Sequence, residues 1–144
     1  MKAKIDPASF GALTKKIKKL EYYSKQGIAQ DIYAIGLDAA LKSKMDAPVD
    51  TGNLRRLISA QKHSKGVEIF SKAKYSPYME FGTGRYVDIG DLKDLGFPAS
   101  YAKQFKGKGL KKVNIQPRPF FFGSIDRALT EGILKIKNKI KQLT

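Results

Sequence analysis

The chain contains no cysteine, which excludes a disulfide scaffold, a thiol nucleophile and a zinc-thiolate cluster. It has one histidine, His63, too few for a His-rich metal site, and no triad constellation surrounds it in sequence. Long apolar runs are also missing. Lysines interrupt the opening MKAKIDPASFGALTKKIKKLEYY, where a secretory signal needs roughly 7–15 unbroken apolar residues. No window approaches the roughly 18–20 apolar residues of a membrane span, so a soluble protein without membrane contact is expected. Acidic residues are scarce: thirteen Asp and Glu stand against twenty-eight Lys and Arg, a formal net charge of +15. A field of that sign attracts polyanions, but it does not distinguish DNA or RNA from an acidic protein surface.

What is present is enough for a core. Hydrophobic residues make up 42% of the chain and are spread along it, unlike the low-hydrophobicity composition of disordered chains. A fold of 144 residues buries about 68–70% of the surface its unfolded chain exposes. One domain over 1–144 is therefore expected, divided into an N-terminal basic helix (1–26), a helix, turn and strands (27–84), a basic loop (85–116) and a C-terminal helix (117–144).

Apolar spacing supports that division. Phe10, Leu13, Ile17 and Leu20 recur at steps of three or four, with Lys15, Lys16, Lys18 and Lys19 on the other faces. The period restarts at Ile28, Ile32, Ile35 and Ala39, with Leu41 and Met45 expected to extend the same apolar side. Pro48 disfavours helical geometry at Ala47 and should end this second helix. Beyond it the period shortens around Gly66, predicting antiparallel strands over 55–64 and 66–72, although Leu54, Leu57 and Ile58 also fit a helical turn. From 85 to 116 periodicity dissolves among glycines and lysines. A long basic loop follows, in which Lys103, Lys106, Lys108, Lys111 and Lys112 are candidate contacts for DNA or a protein partner. Ile125, Leu129, Ile133, Ile136 and Ile140 mark one face of a last helix, which Gly123 or Ser124 should open. The fold class predicted is thus α+β, with long N-terminal helices and a C-terminal helix on a small antiparallel sheet.

Three segments carry unusual chemistry. Asp50-Thr51-Gly52 matches the aspartic-protease signature, but such enzymes need two carboxylates sharing a proton and an apolar strand before the aspartate. Here a helix and a proline come first, and Asn53, Arg55 and Arg56 follow within four residues. A turn explains the segment better, with Asp50 or Thr51 accepting a backbone N–H and Gly52 reversing the chain. Tyr75, Tyr78, Glu80, Phe81, Gly82 and Thr83 form an aromatic segment with one carboxylate. It lacks the third glycine of a dinucleotide fingerprint and the Gly-Lys-Ser/Thr of a P-loop. Its aromatics fit core packing or base stacking, and Glu80 is expected to pair with Arg55, Arg56 or Arg118. Pro117-Arg118-Pro119-Phe120-Phe121-Phe122 sets three phenylalanines side by side. Adjacent positions point in different directions, so either a bent chain carries them into one core or one of them meets another element or subunit.

In this order, Ala47 to Ile58, Tyr75 to Gly84 and Pro117 to Phe122 resemble the neck, or head-tail joining, proteins of long-tailed double-stranded DNA bacteriophages, a gene-product-ten-like family. The resemblance covers about residues 28–143. Its anchoring positions are Pro48, Asp50, Thr51, Gly52, Leu54, Arg55, Tyr75, Tyr78, Glu80, Phe81, Gly82, Thr83, Pro119 and Phe120. Leu57 departs from the serine common there, and the basic stretch after Arg85 is longer than a compact member needs. The resemblance implies a structural protein without catalytic residues, metal or cofactor. It would be made in the host cytoplasm and built into the virion neck as a cyclic homo-oligomer, touching head-connector and tail proteins and, non-specifically, the genomic DNA. Two other readings stand beside it. One is a basic nucleic-acid-binding module using the loop lysines and interleaved aromatics. The other is a small nuclease, for which Glu80, His63 and Arg55 are the available set.

Overall fold

The computed structural model describes residues 7–83, 100 and 115–144. The loop expected over 85–116, including Lys103, Lys106, Lys108, Lys111 and Lys112, lies outside these residues apart from Ser100, Ile115 and Gln116. The architecture is α+β: the second of the long helices packs against both a two-stranded antiparallel sheet and the C-terminal helix.

Helix α1 (Pro7–Tyr22) passes through one π turn (Tyr23–Gly27) into α2 (Ile28–Asp46). The expected boundary between residues 26 and 27 is therefore not a break. Gly27 keeps helical angles, and its missing side chain makes room for an aromatic ring: a Cβ there would sit 2.2 Å from Cδ2 of Tyr23. Helix α2 ends as expected, because Ala47 ahead of Pro48 is extended (φ −61°, ψ 132°).

The inner face of α2 is made of small residues, Gly36, Ala39, Ala40 and Ser43. Leu41 and Met45, expected to extend the apolar side inward, are instead 55% and 68% exposed. The reason is close approach. A Cβ on Gly36 would lie 2.4 Å from a Val67 methyl of the sheet, so a large side chain on this face would push the layers apart.

The last helix, α5 (Phe122–Leu143), meets α2 through an equally small stripe, Ser124, Ala128 and Gly132. A Cβ on Gly132 would lie 2.3 Å from Ile35 Cγ1. The face marked by Leu129 and Ile133 runs beside this seam, and these two residues are 43% and 49% exposed. Polar pairs fix α2 and α5 as antiparallel: Asp46 meets Arg127, Lys42 meets Glu131, and Asp31 meets Lys139 at 3.0 Å. Pairs this exposed contribute roughly 0–1 kcal/mol each, so they set register more than stability.

Between these helices, Gly52 adopts left-handed geometry (φ 75°) and opens the short helix α3 (Asn53–Arg56), which turns Leu54 into the core. The first strand thus begins later than expected. Strands β1 (Ile58–His63) and β2 (Gly66–Ser71) form a hairpin in which Ile58 faces Ser71, Ala60 faces Ile69 and His63 faces Gly66. Helix α4 (Ser76–Phe81) follows, with Pro77 in its first turn. One core joins the elements: Ala40, Ala47, Leu54, Ile58, Ala73 and Phe120, with Leu57, Ile69, Met79 and Phe121 packed around them.

Candidate functional site

All three singled-out segments send residues into that core: Ala47 and Leu54 from the first, Met79 from the second, Phe120 and Phe121 from the third. Their polar groups are arranged to hold the segments to one another. The clearest case is Glu80, a carboxylate only 6% exposed. One of its oxygens, Oε2, accepts the main-chain N–H groups of Phe120 at 2.7 Å and Phe121 at 2.9 Å, and the other, Oε1, accepts that of Phe122 at 3.1 Å. The last two of these N–H groups belong to the cap residue and first residue of α5, where a helix has donors without internal partners and a partial positive charge, and the Phe120 N–H lies just ahead of them. The pairing expected between Glu80 and Arg55, Arg56 or Arg118 is therefore corrected: the counter-charge is a helix terminus. Ser124 and Gly123 do not open α5 either. The helix starts at Phe122, and the Ser124 hydroxyl shares its one hydrogen between Asp46 Oδ2 at 2.6 Å and the Phe120 carbonyl oxygen at 2.8 Å.

A short backbone ladder continues the junction. Arg118 N–H donates to the Met79 carbonyl at 2.7 Å, and Thr83 N–H donates to the Ile115 carbonyl at 2.9 Å. In return the Thr83 hydroxyl oxygen accepts the Ile115 N–H at 2.8 Å. Gly82 between them has φ 73°, and a Cβ there would lie 2.7 Å from the Ile115 carbonyl oxygen. Glycine is required twice over, for conformation and for space. The Phe81 and Phe122 rings stack at 5.7 Å across the same junction.

The Asp-Thr-Gly segment is a connection from α2 to α3. Thr51 Oγ1 accepts the Asn53 N–H at a long 3.4 Å, and Asp50 is exposed. Arg55 folds back over the end of α2, donating to the carbonyls of Ala47 at 3.3 Å and Met45 at 3.2 Å, which satisfies carbonyls that the helix leaves open. Tyr75 and Tyr78 are 41% and 39% exposed, and Pro119 is exposed beside buried Phe120. Parts of all three segments line one concavity of about 550 Å³: Pro48 to Leu54, Tyr75 with Met79, and Arg118.

The three residues of the nuclease reading are not brought into one constellation. His63 Nε2 lies 2.9 Å from Glu68 Oε2 at the exposed hairpin end, Glu80 holds the start of α5, and Arg55 holds the end of α2. Among the described residues, no three His, Asp or Glu side chains are grouped to hold a metal ion, and no helix is long and apolar enough to cross a membrane.

Sequence reasoning missed the seam between α2 and α5. Its signal was present as small residues at helical spacing, Gly36 with Ala40 and Ser124 with Ala128 and Gly132. At the far end of that seam the Tyr23 hydroxyl donates to Asp31 at 2.5 Å, and Lys139 lies 5.2 Å from the Tyr23 ring centre. Burial, reinforced by the Asp31 carboxylate, pushes the Tyr23 phenol up to about 12. The Tyr23 hydrogen bond, helped by Lys139 and opposed by burial, holds the Asp31 carboxyl below its usual range.

No protein-family model matches the sequence, and comparisons with curated proteins and with solved structures return no match.

Proposed function

We propose that this chain is a structural component of the neck of a long-tailed double-stranded DNA bacteriophage, assembled as a closed ring that joins head and tail around the DNA path. The observation that carries the reading is the use made of Glu80. The one carboxylate in the aromatic segment is committed to three main-chain N–H groups that open the last helix, so it serves as a clamp between segments. The three segments whose order resembles neck proteins meet in one core, as expected if they shape a subunit for assembly.

In this role the protein is made in the host cytoplasm and enters the virion, with copies of itself and the adjacent connector and tail proteins as partners. A closed cyclic arrangement uses every subunit contact and prevents runaway stacking. The net charge of +15 suits weak, hydrated contact with passing DNA or docking to acidic rims of neighbouring rings.

Native mass spectrometry and electron microscopy of the purified protein, alone and mixed with a phage head-connector protein, test the proposal. A closed ring, or incorporation into a connector complex, is expected. A strict monomer that ignores connector proteins removes the reading. The alternative of a basic nucleic-acid-binding module draws on Lys103, Lys106, Lys108, Lys111 and Lys112 of the basic stretch and the aromatics interleaved in the sequence. It predicts tight, salt-sensitive DNA or RNA binding by the monomer, and no binding at low salt dismisses it.

A further inference from the structure

Beside the small-residue seam that joins it to α2, helix α5 carries a second apolar stripe, exposed at Leu129 and Ile133 and half-buried toward its C-terminal end. Leu129, Ile133, Ile136, Ile140 and Leu143 follow one another at alternating steps of four and three. That is the spacing of a heptad seam, which keeps one helix face against a partner helix. Leu129 and Ile133 are 43% and 49% exposed, and the other three are half-buried. The exposed part of the stripe, Leu129 and Ile133, costs solubility without stabilising the monomer unless something covers it.

The charges beside the stripe decide what covers it. With Ile133 and Ile140 at one seam position and Leu129, Ile136 and Leu143 at the other, Lys137 and Lys139 fall on the flanks, where coiled coils place their inter-helix ion pairs; Lys139 is held by Asp31 within the chain, and Lys137 is exposed. Lys135 and Lys141 stand on the same half of the helix, while its acidic residues, Asp126 and Glu131, lie toward the other end, with Glu131 already paired to Lys42. Helix α1 borders this end of α5. Between them lies a concavity of about 380 Å³ lined by Lys18, Lys19, Tyr22, Tyr23, Lys139 and Leu143. Lysine faces the stripe from both helices. A second copy laid along it would set lysine against lysine.

We propose that the exposed stripe of α5, with its lysine flanks, is a docking surface for an acidic amphipathic helix of another protein. The partner supplies apolar residues at heptad spacing and Asp or Glu on its flanks, so the stripe provides burial and the lysines provide orientation and discrimination. This surface is separate from the Glu80 junction and holds whether or not the chain is a neck protein.

The test uses the full chain and two synthetic helices of about three heptads with an identical leucine seam, one with glutamate and one with lysine on the flanks, followed by fluorescence anisotropy. The glutamate helix is expected to bind about ten-fold tighter or better than the lysine helix. Ile133→Gln should weaken it by about ten-fold with an unchanged circular-dichroism spectrum. Lys137→Glu should narrow the preference, and Leu134→Gln, on an exposed position off the seam, should leave binding unaltered. Equal binding of the two helices, or none at up to about 100 µM, overturns the proposal. Two other results also overturn it: Ile133→Gln abolishing self-association shows that a second copy covers the stripe, and Ile133→Gln abolishing binding of phosphatidylglycerol vesicles or duplex DNA, with neither helix bound, assigns the face to a membrane or to nucleic acid. Ring formation unaffected by Ile133→Gln would leave the neck reading standing whatever the peptides do.

Discussion

Glu80 and Phe120 are forty positions apart in the chain, yet the carboxylate of the first accepts the main-chain N–H of the second at 2.7 Å in a buried site. With Phe121 and Phe122 also bonded, this is the N-terminal cap of α5, supplied by a different helix. Helix caps from the preceding residue are worth about 1 kcal/mol. A buried anion holding three donors is worth more, since hydrogen bonds to charged groups contribute roughly 1.5–3 kcal/mol each.

Replacing Glu80 by Ala should therefore destabilise the protein by roughly 3 kcal/mol or more, by stranding three N–H groups at a helix end. Glu80→Gln keeps one acceptor oxygen for Phe120 and Phe121 but turns an amide NH₂ toward the Phe122 N–H, so roughly 1–2 kcal/mol should be lost. Urea denaturation of both variants checks this order. Equal and negligible losses would falsify the clamp.

Alkaline pH should act through Tyr23. Its folded value of about 12 stands above the ordinary phenol value of about 10, so the neutral form is favoured by folding. The stabilisation is complete below about pH 10 and disappears as pH rises toward about 12. Unfolding free energies measured across that window should fall more steeply for the native chain than for Tyr23→Phe. Parallel curves would show that another group governs the alkaline limit.

The exposed face of α2 and the buried positions on the elements packed under it should respond oppositely to substitution. Leu41→Gln and Met45→Gln should each change stability by no more than about 0.5 kcal/mol, because both side chains are already in water. Ile58→Ala, at a fully buried position, should cost roughly 2–5 kcal/mol, and Gly132→Val, forced against Ile35, roughly 1–3 kcal/mol. Thermal melts of the four variants separate the groups. A large loss at Leu41 would mean that its face is covered.

Much of this architecture was legible in the order of residues. Periodicity located the three long helices and the hairpin, and Pro48 marked the end of α2, because those signals act through neighbours along the chain, whereas the short helices α3 and α4 left no periodic trace. Gly52 was visible as a turn residue for the same reason. Which face of α2 and α5 turns inward was not legible. Hydrophobic patterning favours the large apolar side chains, whereas the helices pack through Gly36, Ala39, Ser43, Ala128 and Gly132, since only small residues permit backbones to come so close.

The role of Glu80 belongs to the same category. A local reading finds a carboxylate and looks for an arginine. Its true partners are backbone donors that exist only once α5 has formed and α4 has been carried against its first turn, because the positive end of a helix is a property of folded chain with no residue type to announce it. Local composition thus dictated where chain segments curl or extend, and long-range packing chose which surfaces they share and which, like Leu129 and Ile133, they leave to water.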